Sequence, residues 1–135
     1  MLDVEAKFIS VLTTDATLNA VVPTTNIMVG PVDIVQEKRV SLVMPQINIF
    51  MIGESVRTVP LAVRDTVLQL DIWSRNSQLE VENIYERVLT LLDFLSTSAN
   101  TSYIFWQRLG TANDQYESDV RIWHRSCRFS IWCSP

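Results

Sequence analysis

Along residues 67–95, VLQLDIWSRNSQLEVENIYERVLTLLDFL, the spacing of apolar residues changes from two to three and four. A period of two marks a half-buried strand and a period of 3.6 an amphipathic helix. The spacing predicts a strand over Thr66–Ser74, with Leu68, Leu70 and Ile72 on one side and Val67, Gln69, Asp71 and Trp73 on the other. Ser77 and Glu80 then form an S-x-x-E capping box, a sequence signal for a helix start. The helix carries Val81, Ile84, Tyr85, Val88, Leu91, Leu92 and Leu95 on one stripe, runs about five turns and ends near Ser96–Asn100. Its early acids, Glu80 and Glu82, suit the positive end of the helix dipole.

The same reading covers the rest of the chain. Val4, Phe8, Val11 and Leu12 stripe a first helix over residues 3–13. Asp15 caps a short helical turn with apolar Leu18, Val21 and Val22, which Pro23 ends. Asn26–Val29 is a strand or extended connector, broken by Gly30 and Pro31. Residues 40–52 form a strand with Val43, Ile47, Ile49 and Met51 on one side and Leu42, Met44, Gln46, Asn48 and Phe50 on the other. Pro45 inside it lacks a ladder donor and indicates an edge or bulged strand. Gly53–Arg64, with Pro60, reads as a long loop or protruding hairpin.

Two strands close the chain, Ser102–Leu109 and Asp119–Cys133, joined by a polar link, GTANDQYE. In the second, Val120 and Ile122 are even-numbered but Phe129, Ile131 and Cys133 odd, so a bulge or sharp bend is expected between Trp123 and Cys127. The order of long elements is α, β, β, α, β, β. It implies one α+β domain over 1–135: a mostly antiparallel sheet with two helices packed on one face.

Composition narrows function. The chain of 135 residues is 47% hydrophobic and 19% charged, with mean hydropathy +0.15. That content fits a well-filled core or apolar surface kept for other subunits. The net charge of −4 and the lack of a basic block argue against tight binding to duplex nucleic acid. An acidic surface also keeps DNA from adhering. Neither a membrane span nor a signal peptide is expected. Cys127 and Cys133 lie six residues apart on one strand, about 20 Å, well beyond the ~7 Å limit for a disulfide. Free thiols suit a reducing compartment.

No constellation for catalysis, a cofactor or a metal stands out. His124 is the sole histidine; in a strand it shares a face with Ser126 but not with Cys127. With no glycine-rich elbow around Ser126, a structural or interface histidine is expected. Asp65 and Asp71 lie about 20 Å apart on a strand, too far for an acid–base pair. Trp73, Trp106, Trp123 and Trp132 have few basic neighbours, so core or interface roles are expected rather than base stacking. Arg108, Arg121, Arg125 and Arg128 cluster towards the final hairpin; with Trp123 they form a contact patch or blunt a sheet edge. Gln69, Asp71 and Trp73 form a half-polar face suited to a neighbouring copy.

Three stretches together resemble the tail terminator, or tail completion, proteins of long-tailed bacteriophages, also described as head-to-tail joining proteins. They are TTDATLNAVVPTTNIMVG, LQLDIWSRNSQLEVENIYERVLTLLD and ESDVRIWHRSCRFSIW. Each is a pattern rather than a signature, and residues 30–64 match least. The resemblance implies a virion protein of the tail–head neck, assembled in the host cytoplasm. It implies a ring, usually of six subunits, that caps the tail tube, stops its polymerisation and meets the head connector while DNA passes through the lumen. Its partners would be further copies of itself, the tail tube protein and a head-completion or connector protein, with no membrane, enzyme activity or cofactor. On that view Gln69, Asp71 and Trp73 form the subunit contact. Glu54, Arg57 and Arg64 project into the lumen or onto the tube, and Arg121, Trp123 and Arg125 face a partner. The competing readings are a head completion or stopper protein, a non-viral α+β binding module and, last, a small enzyme relying on His124.

Overall fold

A computed structural model describes residues 4–30, 44–57, 63–92, 103–118 and 121–133. Helix α1 (Val4–Thr13) and the single turn α2 (Ala16–Asn19) precede a 3-10 turn, Thr24–Asn26, and strand β1 (Ile27–Val29). Then come β2 (Gln46–Arg57), β3 (Val63–Ser74), helix α3 (Gln78–Leu92), β4 (Tyr103–Glu117) and β5 (Ile122–Cys133). The sheet order is β1-β2-β3-β5-β4. Among the described residues only β1 against β2 is parallel; the other three pairings are antiparallel. The α+β class and its mostly antiparallel sheet are as the residue pattern implied.

The helices cover one face. Phe8 and Leu12 of α1, Leu18 of α2 and Val81, Ile84, Tyr85, Val88 and Leu92 of α3 meet Ile47, Ile49, Leu68, Leu70, Ile72, Cys127, Phe129 and Ile131 in one buried cluster. Phe8 packs edge-on to Phe129, with ring centroids 5.9 Å apart. Each such aliphatic or phenyl group contributes about 1.5–3 kcal/mol by leaving water. The period-two alternation of β3 is therefore real: its core face is wholly apolar from Leu68 to Ile72. Val21, beside buried Leu18 and Val22, and Met51, grouped with buried Ile47 and Ile49, are exposed.

Local chemistry sets the element ends. Asp15 caps α2 by accepting from the Leu18 amide at 2.8 Å. Ser77 caps α3 by accepting from the Glu80 amide at 3.1 Å. The Glu80 carboxylate instead accepts from Ser74 Oγ at 2.6 Å and Asn76 Nδ2 at 2.9 Å, clamping the strand end to the helix start. Gly30 has φ +104°, a conformation suited to glycine, and its amide donates to Ile49 O at 2.9 Å where β1 ends.

Two pairs of alternatives are decided and two expectations are corrected. Strand β2 is not at an edge but interior, between β1 and β3, and begins at Gln46, just after Pro45; the proline, without an N–H, stands before the ladder, and the bulged alternative holds further along, where the register shifts between Met51 and Gly53. The Gly53–Arg64 stretch is not a long loop: its ends continue β2 and β3, in register to Arg57↔Val63, so the hairpin alternative holds. The link GTANDQYE belongs to β4, which pairs with β5 as far as Glu117↔Ile122. The expected bulge in the last strand is absent, for β5 pairs with β3 without interruption from Ser74↔Trp123 to Arg64↔Cys133. In the β4–β5 pairing the irregularities lie on the β4 side, between Tyr103 and Phe105 and between Leu109 and Asn113. The parity change arises because Ile122, although buried, shares the far face with His124 and Ser126, whereas Trp123, Arg125, Cys127, Phe129 and Ile131 take the core side. Leu42, Val43, Pro60, Leu95, Ser96–Asn100 and Val120 lie outside the described residues.

Candidate functional site

The far face of the sheet, opposite the helices, carries the polar residues singled out in β3. Register puts Trp73 between Gln46 and His124 on one rung and Asp71 between Asn48 and Ser126 on the next. Cross-strand neighbours on one face stand close enough to interact directly. The His124 ring stacks on Trp73 with centroids 3.8 Å apart and planes 2° from parallel. Asp71 Oδ1 accepts from Ser126 Oγ at 2.6 Å and from Gln69 Nε2 at 3.0 Å. Arg128 Nε in turn donates to Gln69 Oε1 at 3.4 Å. Burial pushes the Asp71 carboxyl up, but the donors from His124, Ser126 and Gln69 together outweigh it and hold it below the usual carboxylate range.

This is a structural network, not a catalytic relay. His124 Nε2 lies 3.0 Å from Ser126 Oγ and 3.3 Å from Asp71 Oδ1. The same ring nitrogen faces both groups, whereas a Ser–His–Asp relay uses opposite nitrogens. The Ser126 hydroxyl also directs its proton to Asp71 rather than to the imidazole. Cys127 lies on the opposite face, buried, with its thiol Sγ 3.6 Å from Leu70 O. Among the described residues, no group of three or more His, Cys, Asp or Glu has the geometry to hold a metal ion, and no helix is long and apolar enough to cross a membrane.

Asp71 and Trp73 are only 6% and 4% exposed, so the subunit's own atoms already enclose them. Trp73 Nε1, Gln46 Oε1 and Asn48 Oδ1 are buried there without a partner among the described residues. Gln69 and Arg128, by contrast, reach solvent in part or fully. Further along β5, Trp132 on this face is 39% exposed and stands opposite Asp65, whose Oδ1 accepts from Ser130 Oγ at 3.2 Å.

The other singled-out residues are dispersed. Glu54 and Arg57 lie on the distal arm of β2, and Arg64 near the start of β3, in the ladder pairs Glu54↔Thr66 and Val56↔Arg64. Arg121 is exposed at the β4–β5 turn with φ +56°. Trp123 packs against Tyr116 at 4.7 Å and borders the core. Arg125 binds Asp114 through two N–H donors, Nε and Nη2, and lies 4.8 Å over the Tyr85 ring. Gln78 Nε2 also reaches Asp114 at 2.6 Å. Arg125 lowers the Asp114 carboxyl below its ordinary value. The expected arginine cluster is thus divided: Arg125 faces the helix layer and Arg128 the far face.

One ion pair has no local sequence signal. Arg87 of α3 holds Asp15 through Nε at 2.9 Å and Nη2 at 2.7 Å. Arg87 first, and then the Leu18 amide, hold the Asp15 carboxyl down to about 2. The partners are 72 residues apart in sequence, so only packing of α2 on α3 brings them together.

No curated protein matches the sequence. Among solved structures the chain is similar to one from the "Virion of native gene transfer agent (GTA) particle". The identity is 13%, the TM-score is 0.73, and the likeness covers 98% of this chain and 95% of that one. At that identity the likeness establishes the fold. The sequence itself matches the family model described as "Tail completion protein gp17" over residues 6–134. Matched across nearly its whole length, the chain belongs to the tail completion protein gp17 family.

Proposed function

We propose that this tail structural protein forms a ring, six-membered by resemblance, that caps the tail tube, ends its polymerisation and joins it to the head connector. DNA passes through the lumen without sequence-specific contact. The carrying observation is the family match over residues 6–134. The virion location follows from the same family and agrees with the virion source of the similar fold. The acidic balance, −4 in all, suits a channel that must not retain DNA.

In this reading the far face of the sheet is the subunit contact. Asp71 and Trp73 stiffen it from beneath, and Gln69 lies at its surface. The distal hairpin, with Glu54, Arg57 and Arg64, reaches the tube or the lumen. The β4–β5 end, with Arg121, Trp123 and Arg125, faces the connector. Arg125 acts there as a support for Trp123, because its guanidinium is already bound by Asp114.

The test is native mass over a concentration series, alone and with purified tail tubes. A ring-shaped species near 93 kDa, six times 15.5 kDa, supports the ring. A stable dimer contradicts it. In infected cells, loss of the protein is expected to yield tails of uncontrolled length. Normal tails beside heads that leak DNA would transfer the protein to the head side of the neck.

A further inference from the structure

A closed ring joins its subunits head to tail, so each copy needs two different surfaces that complement one another. Resting on the ring reading, the geometry points to two such surfaces: a groove between α2 and α3, and Trp132 on the opposite side of the sheet. We infer that Trp132 of one copy seats in the groove of the next, with Asp65 meeting Arg87.

The groove has a volume of about 180 Å³ and is lined by Thr17, Leu18, Val21, Asn83, Ile84 and Arg87. Small-molecule sites usually measure about 300–1,000 Å³, so this one suits a single side chain. Its floor is apolar, and Val21 beside it is 46% exposed. Arg87 stands at the rim. Two of its N–H groups bind Asp15; an arginine has five, and the remaining three have no partner among the described residues. The groove therefore calls for an apolar anchor with an acid next to it.

This chain carries that combination elsewhere. Trp132 is a large aromatic residue, partly exposed, of the kind that dominates binding energy at interfaces. Its cross-strand neighbour is Asp65, so an acid lies beside the anchor and faces the same way. Trp132 belongs to the sheet face already assigned to the subunit contact, and the groove belongs to the helix layer on the other side. The contact joins unlike surfaces and therefore propagates around a ring.

The experiment uses two variants of the full chain, Trp132→Ala, which removes the anchor, and Val21→Trp, which fills the groove. Both positions are partly exposed, and circular dichroism and melting temperature check that the fold is retained. In sedimentation at high protein concentration, with tail tubes as nuclei where needed, wild type is expected to assemble and each variant alone to stay at 15.5 kDa. Mixing the two variants restores one intact anchor and one intact groove. The mixture is expected to give 1:1 dimers near 31 kDa, twice 15.5 kDa, that extend no further. Assembly by either variant alone, or a monomeric mixture beside assembling wild type, overturns the assignment of these surfaces and leaves the ring standing. Wild type that stays monomeric even on tail tubes overturns the ring and the anchor together.

Discussion

The two faces of the sheet are built from the same strands yet held by different physics. On the helix side, Ile47, Ile49, Leu68, Leu70, Ile72, Phe129 and Ile131 are buried by apolar contact, which is non-directional. On the far side, Gln46, Asn48, Asp71 and Trp73 are almost as deeply buried. They depend on directed contacts: a carboxylate with several donors, an imidazole stacked on an indole, and the Asn48 amide donating to Gly30 O. Exclusion from water therefore does not separate the faces. What separates them is tolerance. An apolar core accepts volume-conserving changes, whereas a hydrogen-bond network loses its geometry when one member leaves.

The sharpest test of that contrast is Phe129→Ala on the core face. It removes the partner of Phe8 and leaves a cavity, with an expected loss of about 3–5 kcal/mol in chemical denaturation. Phe129→Leu keeps most of the volume and should lose much less. On the far face, Asp71→Ala leaves Ser126 and Gln69 as buried or half-buried donors without their acceptor, with an expected loss of about 1–3 kcal/mol. Asp71→Asn has nearly the same volume and should lose a similar amount. If the isosteric change is instead harmless, the far face is held by packing and the contrast fails.

Acid titration probes the same distinction. The folded carboxyls of Asp15, Asp71 and Asp114 lie below their unfolded values, so the unfolded chain takes up protons first as the pH falls. Their stabilisation is present above the unfolded value, near 4, and is lost towards about pH 2, where Asp15 titrates. Melting temperature between pH 7 and pH 2 is expected to fall in that window. Asp71→Asn should flatten part of the fall, and Phe129→Leu should leave its shape unchanged.

Smaller effects belong to the element ends. Ser77→Ala removes the acceptor for the Glu80 amide, an expected loss of about 1 kcal/mol. Arg121→Gly relieves a left-handed residue at the β4–β5 turn, where an L side chain costs about 1–2 kcal/mol. A modest rise in melting temperature is expected, smaller than that cost because glycine gains entropy when unfolded. A fall would show that the Arg121 side chain holds the turn.

Strand β3 and helix α3 were legible because their apolar residues repeat at a fixed period over many positions, and Ser77 announced the helix start. The second half of β4 was not. Asn113, Gln115 and Glu117 show no alternation, and their place in the sheet comes from pairing with β5 after a register shift. Ile122 misled for a related reason: buried on the far face, it looks like a change of face in the apolar pattern until pairing with β3 shows Trp123, Arg125, Cys127 and Phe129 together on the core side. The far-face residues Gln69, Asp71 and Trp73 were visible as a set. The burial of Asp71 and Trp73 was not, because it depends on His124 and Ser126, more than 50 residues later in the chain.

By itself the sequence determined the elements with strong period, the caps Asp15 and Ser77, the α+β class and membership of the tail completion family. Those follow from local spacing and from residue order, which each segment carries wherever the others lie. Only the tertiary structure decided that β1 runs parallel to β2, that the polar link continues as strand, that Asp15 meets Arg87, and that Trp132 and the α2–α3 groove lie on opposite sides. These depend on strand pairing and helix packing between distant segments, whose energies no single stretch of sequence contains.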